Sequence, residues 1–230
     1  RGAGTVLNQE TAGFIRGFDA YRSLALSRSN ANPEAFRDAW STRLGARWTA
    51  VSADGRQSDI GAVLRRSRMQ FLQHFLLGKP LERNSQSSAL FSLSTRSRDS
   101  GRLRFSAGAD LEWALGELLE YQSGPTLEGS PAARAIRPAG RHYDYEVAAL
   151  STGAWVNAEF PVAARLTLGA SLRADSTLYR YDNRMLDGNT SEAGVACAAG
   201  GCLYSRPADR SDRFSTISPR LNLRYALGSA

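Results

Sequence analysis

The chain contains little histidine, cysteine or lysine. Its 230 residues include two histidines, His74 and His142, and two cysteines, Cys197 and Cys202. These four residues follow no spacing that is typical of a zinc site, so we expect no metal site and no cofactor. Lys79 is the only lysine among 29 Lys plus Arg residues, and the arginines are spread along the whole chain. Because nucleic-acid-binding proteins usually cluster their basic residues, we expect no nucleic-acid partner despite the net charge of +7.

Long apolar runs and motifs of enzymes are also missing. No stretch of 18 or more apolar residues occurs, which excludes a membrane-spanning helix. The first ten residues, RGAGTVLNQE, do not form a secretory signal, which leaves open a cytoplasmic protein, a mature chain or a piece of a longer one. His142 and Asp144 could form a catalytic pair, but no serine lies in a nucleophile motif. We therefore predict no catalytic residue and no enzyme.

The hydrophobic pattern of the chain has a period of two. In residues 102–113 the odd positions are apolar and the even positions are polar or small. Such alternation predicts a β-strand with one apolar and one polar face. Similar runs occupy 40–50, 165–175 and 218–227, and others begin at Ser58, Ser87 and Tyr145. Together they predict an all-β protein of about seven or eight strands, the eighth lying within the first fifteen residues.

The connections between these strands alternate in length. Short turns are predicted at 52–57, 98–101 and 161–164, and long loops at 16–39, 68–86, 118–141 and 182–213. In an antiparallel up-and-down meander this alternation puts every long loop at one end of the sheet. Loops of this length are uncommon in compact soluble domains, but outer-membrane barrels combine long extracellular loops with short periplasmic turns. The pattern favours a partial transmembrane β-barrel over a soluble β-sandwich.

Three further details of the strands lead to predictions. In the run that begins at Tyr145 the apolar residues change from odd to even positions, which predicts a β-bulge near Ala148. Arginines and acids share the polar faces, as in the pairs Arg173 with Asp175 and Arg104 with Asp110, and this suits a solvated lumen. Aromatic residues near strand ends predict a girdle at the membrane interface, formed by Trp40, Trp113, Tyr143, Tyr145, Tyr179, Tyr181 and Tyr225.

Several segments in this order resemble the barrel of TonB-dependent outer-membrane receptors. They are a long strand with a tight turn at Pro161, a strand containing Gly169, Leu172, Arg173 and Asp175, and, after a long loop, the strand FSTISPRLNLRY. The likeness is best over 143–227 and looser over 28–121, where RSNANPEAFRDAW and RRSRMQFLQHFLLGKPLE look like loop and strand segments of such receptors.

The resemblance implies a Gram-negative outer-membrane protein that takes up a scarce ligand such as a ferric siderophore or cobalamin. Its partners would be outer-membrane lipid, a plug domain inside the barrel, the energy-coupling protein TonB and the small-molecule chelate. Because the chain has no plug, no segment that contacts TonB and too few strands to close a barrel, we predict an internal fragment with a single domain, residues 1–230. A porin-like barrel and a secreted β-sandwich binding module remain alternatives.

Ligand contacts are expected in or beside the longest loop. Aromatic and arginine side chains suit an anionic or catecholate chelate, and the candidates are Tyr181, Arg184, Tyr204, Arg206 and Arg210. The alternative is that these arginines only keep the loop solvated.

The two cysteines lie in the segment ACAAGGCLYSRPADRSDRF, 196–214. From the residues alone a metal site, a redox centre and a clip on an exposed loop are all open. The resemblance puts this segment in an extracellular loop, where a disulfide forms and persists. On that basis we predict a disulfide between Cys197 and Cys202.

Overall fold

The chain folds into one antiparallel sheet of eight strands that follow each other in sequence order. The structure, a computed structural model, describes residues 1–11, 13, 15, 17–97 and 103–227. The strands are β1 (Gly2–Glu10), β2 (Phe36–Val51), β3 (Gln57–Leu72), β4 (Leu81–Arg96), β5 (Arg104–Gln122), β6 (Gly140–Ala163), β7 (Leu166–Asn183) and β8 (Arg210–Tyr225). The predicted all-β meander is confirmed.

Helical structure is confined to the loops. A 3₁₀ turn, Ala20–Arg22, and helix α1, Leu24–Ser27, lie between β1 and β2, and helix α2, Pro131–Ala135, lies between β5 and β6. Ser130 caps α2, since its side chain accepts a hydrogen bond from the backbone N–H of Ala133. No helix in the described part of the chain is long and apolar enough to cross a membrane.

The connections separate into two ends of the sheet, as the sequence predicts. Loops 11–35, 73–80, 123–139 and 184–209 lie at the loop end, and the tight connections at 52–56 and 164–165 lie at the turn end. The predicted turn at 98–101 lies outside the described residues. The loop predicted at 68–86 is shorter, because β3 and β4 remain paired as far as Leu72 and Leu81. Pro161 belongs to β6, close to its end, where a missing backbone donor is tolerated.

The two faces of the sheet differ sharply in chemistry. Directly paired residues of neighbouring strands share a face, so the register assigns every strand residue to one side. One side, which we call the apolar face, carries large exposed hydrophobic side chains such as Trp113 at 49%, Ile217 at 73% and Leu221 at 79% exposure. Within the described residues no second sheet covers it. A β-sandwich would bury such a face, and a membrane barrel turns it towards lipid.

The opposite side, the polar face, carries ion pairs between strands. Arg173 Nη2 lies 2.7 Å from Asp175 Oδ1, and Arg173 Nη1 lies 3.5 Å from Asp110 Oδ2. The predicted pairing of Arg173 with Asp175 is therefore confirmed. Asp110 binds Arg173 rather than Arg104, because the register puts Arg104 opposite Glu159, whose Oε2 lies 4.0 Å from Arg104 Nη1.

The predicted bulge near Ala148 is wrong. The register of β6 is continuous from Tyr143 to Glu159 against β5 and from Tyr145 to Pro161 against β7. The register of β6 shifts at His142 instead, where Glu120 pairs with Tyr143 and the next residue, Tyr121, pairs with Arg141. A second shift lies near the other end of the strand, between Pro161 and Ala163. The apolar parity changes along β6 because its loop end has aromatic residues on the polar face.

This parity also divides the predicted aromatic girdle. Trp40, Trp113 and Tyr225 lie on the apolar face, where a membrane interface would contact them. The other four lie on the polar face near the loop end, so the prediction is wrong for them: Tyr143, Tyr145, Tyr179 and Tyr181.

Candidate functional site

The strongest concentration of buried polar groups lies at the loop end of the polar face. We call the group Glu120, His142, Tyr204 and Arg206 the loop-end cluster. Glu120 and His142 come from β5 and β6, whereas Tyr204 and Arg206 come from loop 184–209. All four are at most 8% exposed, in a chain whose hydrophobic side chains are mostly exposed. The cluster therefore attaches the longest loop to the sheet.

His142 occupies the centre of the loop-end cluster. Its Nδ1 lies 2.9 Å from Glu120 Oε1, and its Nε2 lies 2.8 Å from the carbonyl oxygen of Pro138. The ring also stacks on Tyr204, with centroids 3.7 Å apart and planes at 14°. Asp144, considered above as a catalytic partner, accepts a hydrogen bond from Arg141 Nη1 at 2.8 Å instead. The histidine is thus a structural link between β5, loop 123–139 and loop 184–209.

Arg206 uses its guanidinium group to hold backbone. It is 2% exposed and donates to the carbonyl oxygens of Leu186 at 2.8 Å, Thr190 at 2.8 Å and His142 at 3.2 Å. Its own backbone pairs with Gly188 in an isolated β-bridge. Buried carbonyl groups need partners, and this one side chain supplies three of them.

The predicted disulfide between Cys197 and Cys202 is present. It closes a short ring within loop 184–209, beside contacts that dock the loop. The backbone N–H of Cys202 donates to Asn189 O at 2.6 Å, and that of Leu203 donates to Ile136 O at 2.9 Å. The disulfide therefore lies where loop 184–209 meets loop 123–139.

Tyr204 is suited to packing rather than to anionic chemistry. Burial, and then the negative charge of Glu120, raise the pKa of its phenol to about 12. The side chain remains a neutral phenol at physiological pH, and it contacts Tyr143 edge to face at a centroid distance of 5.8 Å. It does not offer a phenolate to a ligand.

A more open group of side chains lies beside the cluster on the polar face. The rings of Tyr145 and Tyr181 are 5.2 Å apart, and Tyr181 is the register partner of Arg210 on β8. Arg210 is held by Asp212 through two hydrogen bonds of 2.6 and 2.8 Å, yet its side chain is 57% exposed. We call Tyr145, Tyr181 and Arg210 the open triad; it offers two aromatic rings and one cation to the space above the polar face.

The structure separates the five predicted ligand residues into three groups. Tyr181 and Arg210 belong to the open triad, and Tyr204 and Arg206 belong to the loop-end cluster. Arg184 is turned towards the apolar side, where its Nη2 lies 2.5 Å from Glu146 and 3.7 Å from Glu117. Their role in ligand binding stays a prediction.

Tyr145 and His142 were missed as parts of the site. The signal for Tyr145 was the pair of tyrosines at odd positions at the start of β6, Tyr143 and Tyr145. The predicted bulge attributed this change of parity to an extra residue and not to a change in the chemistry of the polar face. For His142 no local signal exists, since the side chains that bury it, Glu120 and Tyr204, are 22 and 62 residues distant. Among the described residues no group of three or more His, Cys, Asp or Glu side chains could hold a metal ion.

Solved structures with the same fold include import and uptake receptors. The ferric-catecholate import receptor Fiu of E. coli K12 in its closed form superimposes with a TM-score of 0.64 at 13% identity, covering 99% of this chain and 38% of that one. The alcaligin outer-membrane receptor FauA of Bordetella pertussis gives 0.59 at 13% identity, over 84% of this chain and 27% of that one. The ferric yersiniabactin uptake receptor FyuA of Yersinia pestis gives 0.58 at 11% identity, over 88% and 28%.

These likenesses show the fold, and the chain spans between a quarter and two fifths of each receptor's length. No curated protein sequence matches the chain. The family model described as "TonB dependent receptor-like, beta-barrel" matches residues 2–229. The chain therefore belongs to the TonB-dependent receptor family, whose members are outer-membrane transporters rather than enzymes, and it forms part of the β-barrel.

Proposed function

We propose that residues 1–230 are part of the barrel of a receptor that takes up a scarce ligand, such as a ferric siderophore or cobalamin, across the outer membrane. The observation that carries the proposal is the two-faced sheet, with an exposed apolar face, an ion-paired polar face and the long loops at one end. The apolar face contacts lipid, the polar face lines the lumen and the long loops are extracellular.

The open triad supports an anionic or catecholate chelate as the ligand. Aromatic rings and a guanidinium group bind such ligands through stacking, charge and paired hydrogen bonds. Arg210 is exposed and already binds a carboxylate, that of Asp212. A ligand carboxylate or catecholate would compete with Asp212 for the same donors. Tyr204 and Arg206 then act indirectly, by positioning loop 184–209 beside the triad.

The partners of the whole receptor follow from this proposal. A plug domain would lie against the polar face and close the lumen, and TonB would supply energy through the plug. Arginine and carboxylate groups line the polar face at mid-strand, as in the ion pair of Arg65 with Glu112 at 3.2 Å. Such a surface favours a polar, hydrated contact over a hydrophobic one.

Uptake by the source bacterium tests this function. Deleting the gene should abolish uptake of one radiolabelled ferric chelate or of cobalamin, and the intact gene should restore it. Uptake should also stop when TonB is deleted. Unchanged uptake of every chelate and of cobalamin would contradict the proposal. Passive passage of small solutes through vesicles containing the protein, without TonB, would support a porin-like barrel instead.

A further inference from the structure

We propose that three arginines on the apolar face bind the phosphate groups of an anionic lipid of the outer leaflet. We call Arg66, Arg68 and Arg83 the arginine patch. The inference rests on the proposed function in one respect, since it requires that the apolar face contacts the outer membrane. It adds a lipid-binding site outside the lumen, separate from the site for the transported ligand.

The register brings the three side chains together on one face. Arg66 and Arg68 are alternate residues of β3, and they pair with Ser87 and Ser85 of β4. Arg83 is two residues from Ser85 on β4, so it is a diagonal neighbour of Arg68 on the same face. Alternate residues of a strand and diagonal neighbours of an antiparallel pair are about 7 Å apart, within reach of one phosphate for long side chains.

The arginine patch begins where the apolar band ends. On β3 the same face carries Ile60, Ala62 and Leu64 before Arg66, and on β4 it carries Leu93, Phe91 and Ala89 on the turn side of Arg83. Leu64 is 55% exposed and Phe91 is 48% exposed, as expected for side chains that contact lipid. The patch therefore lies at the level of the lipid headgroups on the loop side, next to the region of the acyl chains.

The patch keeps a net positive charge, because two of the three acids beside it are bound to other arginines. All three arginines are exposed, and among the described residues none of them forms an ion pair. The carboxylates that the register places beside the patch on this face belong to Asp38, Glu117 and Asp144. Glu117 lies 3.7 Å from Arg184 and Asp144 lies 2.8 Å from Arg141, whereas Asp38 forms no ion pair among the described residues. By contrast, Arg65 and Arg173 at mid-strand on the polar face each bind a carboxylate group. The patch thus offers unpaired guanidinium donors beside apolar surface.

These properties select a phosphorylated lipid among anionic ligands. Guanidinium groups bind phosphate through paired hydrogen bonds, and basic residues at a membrane surface attract anionic headgroups. Free phosphate would contact only the arginines. A lipid would contact the arginines with its phosphate groups and the adjoining apolar band with its acyl chains. In a Gram-negative outer leaflet the phosphorylated glycolipid lipid A has both parts.

Lipid binding to the purified full-length receptor in detergent tests the inference. The probes are diphosphorylated lipid A and the same lipid with its phosphates removed, each titrated and counted by native mass spectrometry. Each arginine contributes about fivefold in affinity, so Arg66→Gln, Arg68→Gln and Arg83→Gln together should weaken binding of the diphosphorylated lipid roughly a hundredfold. Binding of the dephosphorylated lipid should be weak and unchanged by these substitutions.

The matched control removes the same charge from the opposite face. Arg43→Gln, Arg220→Gln and Arg224→Gln replace three exposed arginines of the polar face and should leave lipid A binding unchanged. An equal loss in both triple variants, equal affinity for both lipids, or full displacement of lipid A by inorganic phosphate would overturn the proposal. If the triple variant does not fold, Arg68→Gln alone should weaken binding about fivefold.

The outcomes for the two proposals are distinguishable. Lipid binding through the patch without uptake of any chelate would refute the transport proposal and leave the lipid site standing. Normal uptake, together with equal binding of lipid A by the patch variant and its control, would refute the lipid site alone. A receptor that stays soluble without detergent would refute both.

Discussion

Arg206 donates a hydrogen bond from Nη1 to the carbonyl oxygen of His142 at 3.2 Å, across 64 residues of the chain. The same guanidinium group binds two carbonyl groups within its own loop, and the ring of His142 stacks on Tyr204 two residues before Arg206. Loop 184–209 is therefore held to the sheet by side chains that solvent does not reach. Such a loop has a defined position at the loop end of the polar face.

Replacing Arg206 with lysine should loosen this loop. Lysine has no planar fork and cannot reach three carbonyl groups at once, so at least one buried carbonyl would lose its partner. That loss costs about 2 kcal/mol, which corresponds to roughly thirtyfold faster hydrogen exchange at the amides of 184–209. Hydrogen–deuterium exchange with mass spectrometry measures this. Arg134→Lys, an exposed residue of loop 123–139, should change nothing, and equal exchange in both variants would contradict the role of Arg206.

Removing the disulfide should affect the same loop more locally. The bond between Cys197 and Cys202 closes a ring of six residues, which in the chain-entropy model stabilises the loop by about 2 kcal/mol. Replacing both cysteines with serine should increase hydrogen exchange around Cys202 and Leu203 and leave strands β5 to β7 protected. Alkylation of unreduced, correctly exported protein provides a direct check, because any labelling of free thiols would contradict the disulfide.

The single lysine gives loop 11–35 a dependence on pH. Lys79 Nζ lies 2.7 Å from Glu34 Oε1 and 4.0 Å from Glu128 Oε1, so it links three of the long loops. The hydrogen bond from Lys79 is the main cause that lowers the pKa of Glu34 from 4.5 to about 2. A lowered pKa means that the contact stabilises the fold above pH 4.5 and is lost as the pH falls towards about 2.

This effect should be small but specific. Because the side chain of Glu34 is 44% exposed, solvent screening limits the contribution to about 1 kcal/mol or less. Amide protection factors in loop 11–35 should fall across this pH range in the native protein and stay constant in Glu34→Gln. If Glu34→Gln loses protection to the same extent, another group is responsible.

The open triad should govern ligand affinity. Arg210→Ala and Tyr181→Ala should each weaken binding of the transported anionic chelate about tenfold, since each removes one charged or aromatic contact. Equilibrium binding to the purified full-length receptor measures this. The control is Arg224→Ala, on the same strand and the same face at the turn end, which should keep the native affinity. Equal weakening by all three variants would indicate a general effect of charge or stability.

Much of the fold can be predicted from the sequence because strand alternation is a local property. Leu111 and Trp113 alternate with Asp110 and Glu112, and any extended backbone puts these pairs on opposite faces. The difference between long and short connections was also visible, although the loop at 68–86 was overestimated. The polar residues at the ends of that predicted loop, such as Arg68 and Arg83, belong to the strands. Exposed positions of a strand accept charged residues.

The candidate site was only partly predictable, because its contacts join distant residues. Tyr181 and Arg210 were found from their place beside the longest loop, and the register shows them as neighbours. Nothing in the sequence distinguishes Arg206, which is buried and fully bonded, from Arg210, which is exposed. Both arginines follow the second cysteine, four residues apart in one polar segment.

The sequence by itself determined the two-faced meander, the length of most loops and the position of the two cysteines. Only the tertiary structure decided which loop side chains are buried, that Tyr145 belongs to the polar face and that Arg66, Arg68 and Arg83 form one patch. The physical reason is that alternation depends on each strand's own geometry. A contact between two strands or between a loop and a strand depends on a register that all the intervening residues set together.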